Sequence, residues 1–314
     1  DSGGEIKHFS TQLLDRADVV IDGLLGTGIN SYIRNEFADV IDAINSSSTP
    51  VVSVDVPSGL DANTGQSLGR CVQADITVTF VGIKPGLVTG AGKQSCGKLV
   101  YADLGIGNAF QSLAKPSATM LNIDHFKGMG PRDVHSHKGT YGRLLCIGGN
   151  RGTAGAIRLA GEAALRSGAG MVRVYTHESS IIQVSAGRPE LMVSDSHLED
   201  ALQWASCVVI GPGLGLDAWS ESTFATTLKH CQATNKPIVI DADALNLLCK
   251  QSTAFTLSQS ILPPHAGEAA RLLGVSVDDV ESDRFNYARQ CSQRYHSVCV
   301  LKGAGTLIDN EKKT

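Results

Sequence analysis

The sequence has no C-x-x-C pair and no regular cysteine spacing. Its eight cysteines, at 71, 96, 146, 207, 231, 249, 291 and 299, are scattered, several inside apolar runs such as Leu144-Leu145-Cys146-Ile147. That pattern argues against a disulfide scaffold or a zinc framework and reads as reduced packing thiols, for which the cytoplasm is the natural compartment. No apolar run reaches the ~18 residues of a membrane helix, and the opening Asp1-Ser2-Gly3-Gly4 has no signal-peptide character. Long basic runs are missing and the net charge is −4, which argues against nucleic acid or a membrane surface as partner and leaves local basic loops for anionic ligands. Low-complexity segments and short repeats are also missing. The expected substrate is a small molecule. There is no initiator Met, and the chain stops at Glu311-Lys312-Lys313-Thr314 directly after the strand-like Thr306-Leu307-Ile308, so a piece of a longer protein is expected.

At about 150 residues per domain, 314 residues predict two domains. Strand-like runs alternate with helical ones, the mark of βαβ units and mainly parallel sheets. In the first part Val19-Val20-Ile21, Val51 to Val54 and Ile76 to Phe80 are strands, with a helix around Glu36 to Asn45. In the second, Arg143 to Ile147, Met171 to Tyr175, Cys207 to Ile210, Ile238 to Ile240, Ser260 to Leu262 and Val298 to Leu301 repeat the pattern, predicting a second doubly wound sheet. The boundary falls between Leu104 and His137, where glycines and Pro131 interrupt periodicity, giving domains 1–110 and 111–314. Thr153 to Gly168 reads as a helix with Thr153 as N-cap and Gly168 at its end. The glycines of Gly148 to Gly152 just before it suit either an anion at a helix start or a turn that needs positive φ.

Two strand ends in the first part carry acids. Asp22-Gly23-Leu24-Leu25-Gly26-Thr27-Gly28 puts a carboxylate before a glycine-rich turn, and Val54-Asp55-Val56-Pro57-Ser58-Gly59 adds a hydroxyl three residues after its acid. On neighbouring strands, Asp22, Asp55 and Ser58 would meet at one sheet edge as oxygen ligands for a cation, with one carboxylate left for proton transfer. The alternative is an Asp that merely forms the turn. Together with Thr79-Phe80-Val81-Gly82-Ile83-Lys84-Pro85-Gly86, these runs resemble the later half of the NAD(P)H-hydrate epimerase domain, a Rossmann-like α/β fold. The resemblance implies that Asp22 and Ser58 bind potassium. It also implies that Gly26, Thr27, Gly28, Ile29, Asn30, Ser31 and Tyr32, with Asp55, contact the hydrated nucleotide, and that Asp55 is the acid or base interconverting the R and S hydrates. The family's Asn-Asn-Gly-Gly-Asp-type loop, another source of potassium ligand, has no counterpart in these residues.

In the second part, His135 and His137 stand two apart without a partnering ligand at zinc spacing, and Lys138-Gly139 reads as a flexible basic entry to a nucleotide region. Gly211-Pro212-Gly213-Leu214-Gly215 follows a strand and would let a flat ligand lie against backbone. Asp241-Ala242-Asp243-Ala244-Leu245-Asn246 sets two acids at a strand-to-helix turn, suited to Mg²⁺ held through water and phosphates or to helix capping. Pro263-Pro264-His265-Ala266-Gly267-Glu268 and Lys302-Gly303-Ala304-Gly305-Thr306 then place an imidazole, a carboxylate and a lysine with a glycine-loosened loop at strand ends, where such sheets bind ligands. No Walker-type P-loop is present.

In this order these segments resemble the NAD(P)H-hydrate dehydratase domain over roughly residues 115–314, a ribokinase-like α/β fold. The fold class expected is therefore α/β, a partial Rossmann-like epimerase domain followed by a partial ribokinase-like domain. The resemblance implies that Ala156, Gly213 or Gly215, and His265 contact the hydrate, and that Lys302, Gly303, Ala304, Gly305 and Thr306 hold the nucleotide phosphates. The family's Gly-Thr-Gly-Asp motif, whose Asp is the base, is expected beyond Thr314. The implied activity is repair of hydrated NADH or NADPH: epimerisation with K⁺, then dehydration of the S hydrate with ADP and Mg²⁺, in a homo-oligomer. Two alternatives stand beside it: a ribokinase-type small-molecule kinase and a non-catalytic nucleotide-binding module.

Overall fold

The computed structural model describes residues 5–29, 31–126, 130–251 and 259–311. The chain folds into two compact units. One is Asp1–Ala118 with Glu281–Phe285 and Gly303–Thr306; the other is Thr119–Val280 with Asn286–Lys302 and Leu307–Thr314.

The first unit carries four strands, β1 (Val20–Asp22), β2 (Val51–Val54), β3 (Ile76–Phe80) and β4 (Lys98–Ala102), all parallel and in that order. The helix Asn35–Ser46 between β1 and β2 is amphipathic, and Ile41 and Ile44 are its buried residues. They pack with Leu14, Val51, Val72 and Ala74 in one apolar cluster. Burial alternates along β3, as a strand's period of two requires, but its two buried positions are Thr77 and Thr79 and not aliphatics. Their hydroxyls are bonded: Thr77 donates to the Cys96 carbonyl at 2.8 Å and Thr79 to Asp55 at 3.2 Å. The sheet's inner face is therefore partly polar near its carboxyl end.

The second unit has eight strands: β5 (Arg143–Ile147), β6 (Met171–Tyr175), β7 (Leu191–Ser194), β8 (Cys207–Ile210), β9 (Ile238–Ile240), β10 (Ser260–Leu262), β11 (Val298–Leu301) and β12 (Leu307–Asp309). Their order is β12-β11-β10-β9-β8-β5-β6-β7, parallel except for β12, which runs antiparallel to β11. The order reverses between β5 and β8, the kind of place where open α/β sheets bind ligands. The helix Ala154–Arg166 covers one face through Ala154, Ile157 and Gly161, which join Val172, Val174 and Leu191 in buried packing. Thr153 occupies its N-cap position without a side-chain cap bond; the hydroxyl instead donates to the carbonyls of Gly213 at 2.7 Å and Asn150 at 3.0 Å. The helix closes on Ser167, with Gly168 just beyond at φ 100°.

All eight cysteines are free; six are buried and Cys207 and Cys249 half-buried, as reduced packing residues. Burial pushes Cys71 up to about 11 and Cys146 up to about 12, so both thiols are protonated and inert at neutral pH. Among the described residues no helix is long and apolar enough to cross a membrane.

Candidate active sites

In the first unit, β1 and β2 pair so that Asp22 lies opposite Ser53, and both strands end at the same sheet edge. Asp22 is 1 % exposed. Its Oδ2 accepts from Ser53 Oγ at 2.7 Å and from the Ser58 N–H at 2.9 Å. Its Oδ1 accepts from Ser58 Oγ at 2.6 Å and from the Leu24 N–H at 3.4 Å. Every one of these donors is neutral, and among the described residues Asp22 has no ion pair. Ser58 Oγ in turn accepts from the Leu25 N–H at 2.9 Å and lies 3.2 Å from the Leu25 carbonyl. A carboxylate and a carbonyl from the turn after β1 thus gather with a hydroxyl from the loop after β2, a set of hard oxygens suited to an alkali or alkaline-earth cation. No group of three or more His, Cys, Asp or Glu that could hold a metal occurs among the described residues.

Asp55 lies at the carboxyl end of β2 but turns away from this pair. Its backbone is left-handed, φ 69°, and its side chain reaches across β3. Oδ1 accepts from the Phe80 N–H at 3.0 Å, from Thr79 Oγ1 at 3.2 Å and, in a short ion pair, from Lys84 Nζ. Partial burial pulls its pKa upward, but the Lys84 ammonium, the Phe80 N–H and the Thr79 hydroxyl outweigh it, so the carboxyl is held below the usual carboxylate range. The structure therefore joins Asp22 to Ser58 and joins Asp55 to Lys84 rather than making one cluster of three.

The loop Gly26 to Tyr32 follows β1. Ile29, Ser31 and Tyr32 are described and Tyr32 is 78 % exposed, while Asn30 lies outside the described residues. Neither Gly26 nor Gly28 has positive φ, and a Cβ at either would meet nothing within 4 Å. The fold itself does not require glycine at either position.

In the second unit the glycine loops have a structural explanation. The N–H groups of Gly148, Gly149, Asn150 and Arg151 are all bonded within the protein, to Tyr175 O, Pro212 O, Gly213 O and Asn150 Oδ1. The anion reading of that turn therefore gives way to the turn reading, with Gly149 at φ 71° and Gly152 at φ 78°. Gly213 (φ 61°) and Gly215 (φ 79°) let the loop after β8 lie against the loop after β5. Buried Asn150 fastens the two loops, donating to Leu214 O at 3.0 Å, Asp217 Oδ2 at 3.0 Å and Ser220 Oγ at 3.2 Å. Backbone and side-chain donation from Ser220, together with Asn150, holds the Asp217 carboxyl at about 2. Neither Asn150 nor Asp217 stands out in the sequence. Ala156 is exposed in the first turn of the helix that follows β5.

Asp241 follows β9 directly, and its Oδ1 accepts from Ala242 N at 2.8 Å and from Lys302 Nζ at 3.1 Å. Asp243 opens the helix Asp243–Cys249, whose N-cap, Ala242, makes no side-chain cap bond; the Asp243 carboxylate instead accepts from the Gly215 N–H at 2.8 Å. His265 is the N-cap of the helix Ala266–Leu273. Its Nδ1 accepts from the N–H of Gly267 at 3.0 Å and of Glu268 at 3.4 Å, and Glu268 Oε2 accepts from the His265 N–H at 2.8 Å. An Nδ1 that accepts leaves Nε2 as the protonated nitrogen of the neutral ring. The capping box thus fixes the imidazole, with Nε2 3.6 Å from Glu268 Oε1; the side chain is 57 % exposed, against 8 % for Glu268. Lys302 follows β11, with Nζ 3.1 Å from Asp241 and 3.8 Å from Glu268. Gly303 to Thr306 form the connection from β11 to β12 and belong to the first unit. His137 caps a 3-10 turn, Lys138–Tyr141, through Nδ1, so Lys138-Gly139 is a capped turn rather than a flexible entry.

An eight-stranded, almost wholly parallel sheet with a lysine, two acids and a capped histidine at its carboxyl edge defines a ribokinase-like α/β enzyme unit. Residues 144–314 match the family described as NAD(P)H-hydrate dehydratase, and residues 2–86 match that described as YjeF-related protein N-terminus. The chain belongs to the NAD(P)H-hydrate dehydratase family. It is 44 % identical over 313 residues to the bifunctional NAD(P)H-hydrate repair enzyme Nnr of Escherichia coli, covering 98 % of this chain and 59 % of that one. To its namesake from Vibrio cholerae it is 39 % identical, covering 99 % and 63 %. The chain thus spans about three fifths of these relatives' length. Among solved structures, an ADP/ATP-dependent NAD(P)H-hydrate dehydratase from Bacillus subtilis, co-crystallised with ATP and Mg²⁺, is similar at 31 % identity and TM-score 0.50 over 58 % of this chain and 65 % of that one. A ribokinase-like superfamily protein from Enterococcus faecalis is similar at 30 % and 0.52, over 57 % and 63 %.

Proposed function

We propose that the protein repairs hydrated NADH and NADPH, interconverting the R and S hydrates in its first unit and dehydrating the S hydrate at the expense of ADP in its second. The observation that carries this reading is the pairing of two strand-end sites in one chain, Asp22 with Ser58 and Asp55 with Lys84 in the first unit, His265 and Lys302 with their acids in the second. A kinase alone would leave the first unit's buried acid and hydroxyl without a purpose.

In the epimerase site, Asp22, Ser58 and the Leu25 carbonyl would hold K⁺, which would supply fixed positive charge there. The loop Gly26 to Tyr32 contacts the hydrate, and Asp55 is the acid or base that assists interconversion of the two hydrates at the hydrated carbon. In the dehydratase site, Ala156, Gly213, Gly215 and His265 contact the S hydrate, and Lys302 to Thr306 hold the phosphates of ADP. Hydroxide is a poor leaving group. Transfer of the nucleotide's terminal phosphoryl group to the hydrate's hydroxyl lets phosphate depart with the carbon–oxygen bond pair while a ring proton leaves, restoring the double bond. Asp241 and Asp243 would hold Mg²⁺, mainly through water and the phosphates, and the ion would supply positive charge for the transferring group. Lys302, steadied by Asp241, is placed to add positive charge there. The buried, protonated cysteines support a cytoplasmic location.

The test uses the full-length protein with chemically hydrated NADH. Regain of reduced-nicotinamide absorbance with ADP and Mg²⁺ is expected, with complete consumption of an R and S mixture when K⁺ is present. A stable phosphorylated product would point to a kinase, and nucleotide binding with no turnover to a non-catalytic module.

A further inference from the structure

The Asp55 carboxylate is bonded on one side only. Lys84 Nζ, Thr79 Oγ1 and the Phe80 N–H all converge on Oδ1, while Oδ2 accepts no hydrogen bond from any described residue. Lys84 is equally committed. Its ammonium has three protons, and Asp55 Oδ1, Thr79 Oγ1 at 3.2 Å and the Phe80 carbonyl at 2.9 Å accept all three. The pair is about one quarter exposed, side chains at 21 % for Lys84 and 27 % for Asp55, so it faces solvent without being surrounded by it. Lys84 is also the one charged group in contact with Asp55 among the described residues.

The backbone around the pair is strained to bring this about. Asp55 is left-handed at φ 69° where β2 ends, and Val81, just after β3 ends, is left-handed at φ 65°. A β-branched residue in that region is a true outlier and persists only where neighbours hold it. Here the Val81 N–H donates to Ala102 O at 2.9 Å, and Tyr101 Oη donates to Val81 O at 2.9 Å. The turn this creates brings Lys84 back over the end of its own strand to reach Phe80 O.

We infer that Lys84 is a positioning residue for epimerisation: with Thr79 and Phe80 it clamps Oδ1 of Asp55 and thereby presents Oδ2, ionised and unshared, as the proton acceptor for the hydrate. The inference rests on the epimerase reading of Asp55. Lys84 does not itself donate to substrate, because each of its protons is already engaged. Epimerisation has no net proton change, so the proton taken by Oδ2 returns to the substrate within the same turnover, and no outside acid or base is consumed. The clamp keeps the base ionised at neutral pH and removes the choice between its two oxygens.

The experiment follows interconversion of resolved R and S hydrates by the full-length protein across pH, with spontaneous exchange subtracted. Lys84→Met is expected to lower kcat/KM by roughly tenfold or more at neutral pH and to move the acidic limb of the profile to higher pH, since a base loses its stabilising cation. Lys84→Arg keeps the charge and is expected to leave the limb where it is while lowering kcat. A Lys84→Met protein with the wild-type limb and rate would overturn the inference. If Lys84→Met does not fold, Thr79→Val, which removes one neutral donor from the same oxygen, must move the limb upward by a smaller amount; a stationary limb overturns the inference equally. Failure of the epimerase reading looks different: the wild-type protein, and not only its variants, would fail to accelerate R and S exchange.

Discussion

A carboxylate as buried as Asp22, served by neutral donors alone, keeps a charge that hydrogen bonds offset only in part, and a bound cation would complete its environment. Asp22→Asn keeps the shape and removes the charge. Its epimerisation rate is expected to fall and to become the same in potassium chloride and in choline chloride at equal ionic strength, whereas the parent is faster in potassium. A variant that still responds to potassium would remove Asp22 from the ligand set. At this scale the sequence is partly legible. A strand-end acid and the Pro-Ser-Gly hydroxyl point to one another once their strands are neighbours, because both follow from local turn chemistry. The Asp55 and Lys84 pair is not legible, although both residues lie in distinctive motifs. It depends on two left-handed residues, Asp55 and Val81, and neither Asp nor Val announces such a backbone. His265 hides a second role in the same way, since an imidazole that caps a helix looks no different in a sequence from one that only contacts a ligand.

Among the elements, the strand-to-helix turns of the second unit matter most, because two of them lean on one another. Gly211, at φ 128°, follows β8 so close to the next turn that an added Cβ would lie 1.7 Å from the Asp241 carbonyl oxygen. Gly211→Ala must therefore displace the turn that carries Asp241 and, through it, Lys302. We expect a loss of stability of about 1–3 kcal/mol, read as a lower urea midpoint with unchanged slope, together with weaker ADP binding. An unshifted midpoint would show that the two turns yield to one another freely. The central strands are legible as apolar runs because both of their faces are covered. The strands that the sequence does not announce, β4 and β7, are edge strands. β4 reads Lys-Leu-Val-Tyr-Ala with no fully buried residue, and β7 buries only Leu191. An edge strand has one neighbour instead of two, and its composition drifts toward that of a loop.

Across the whole molecule, alternation of strand and helix is enough to foresee two α/β units, whereas the antiparallel β12 at one edge of the larger sheet leaves only a short apolar signal after the lysine loop. The six buried thiols are distributed over both units: Cys71 and Cys96 belong to the first, and Cys146, Cys231, Cys291 and Cys299 to the second. None is placed to do chemistry, yet together they form a set of internal clocks. Each can be alkylated only during the moments when its surroundings open, so the rate at which mass is added at each position measures the local opening free energy of its own unit. With iodoacetamide in mild urea, Cys71 and Cys96 are expected to react with one common rate and the four buried thiols of the second unit with another. Reaction of all six at a single rate would mean that the two units unfold as one, and the epimerase half could then not be weakened without the dehydratase half following it.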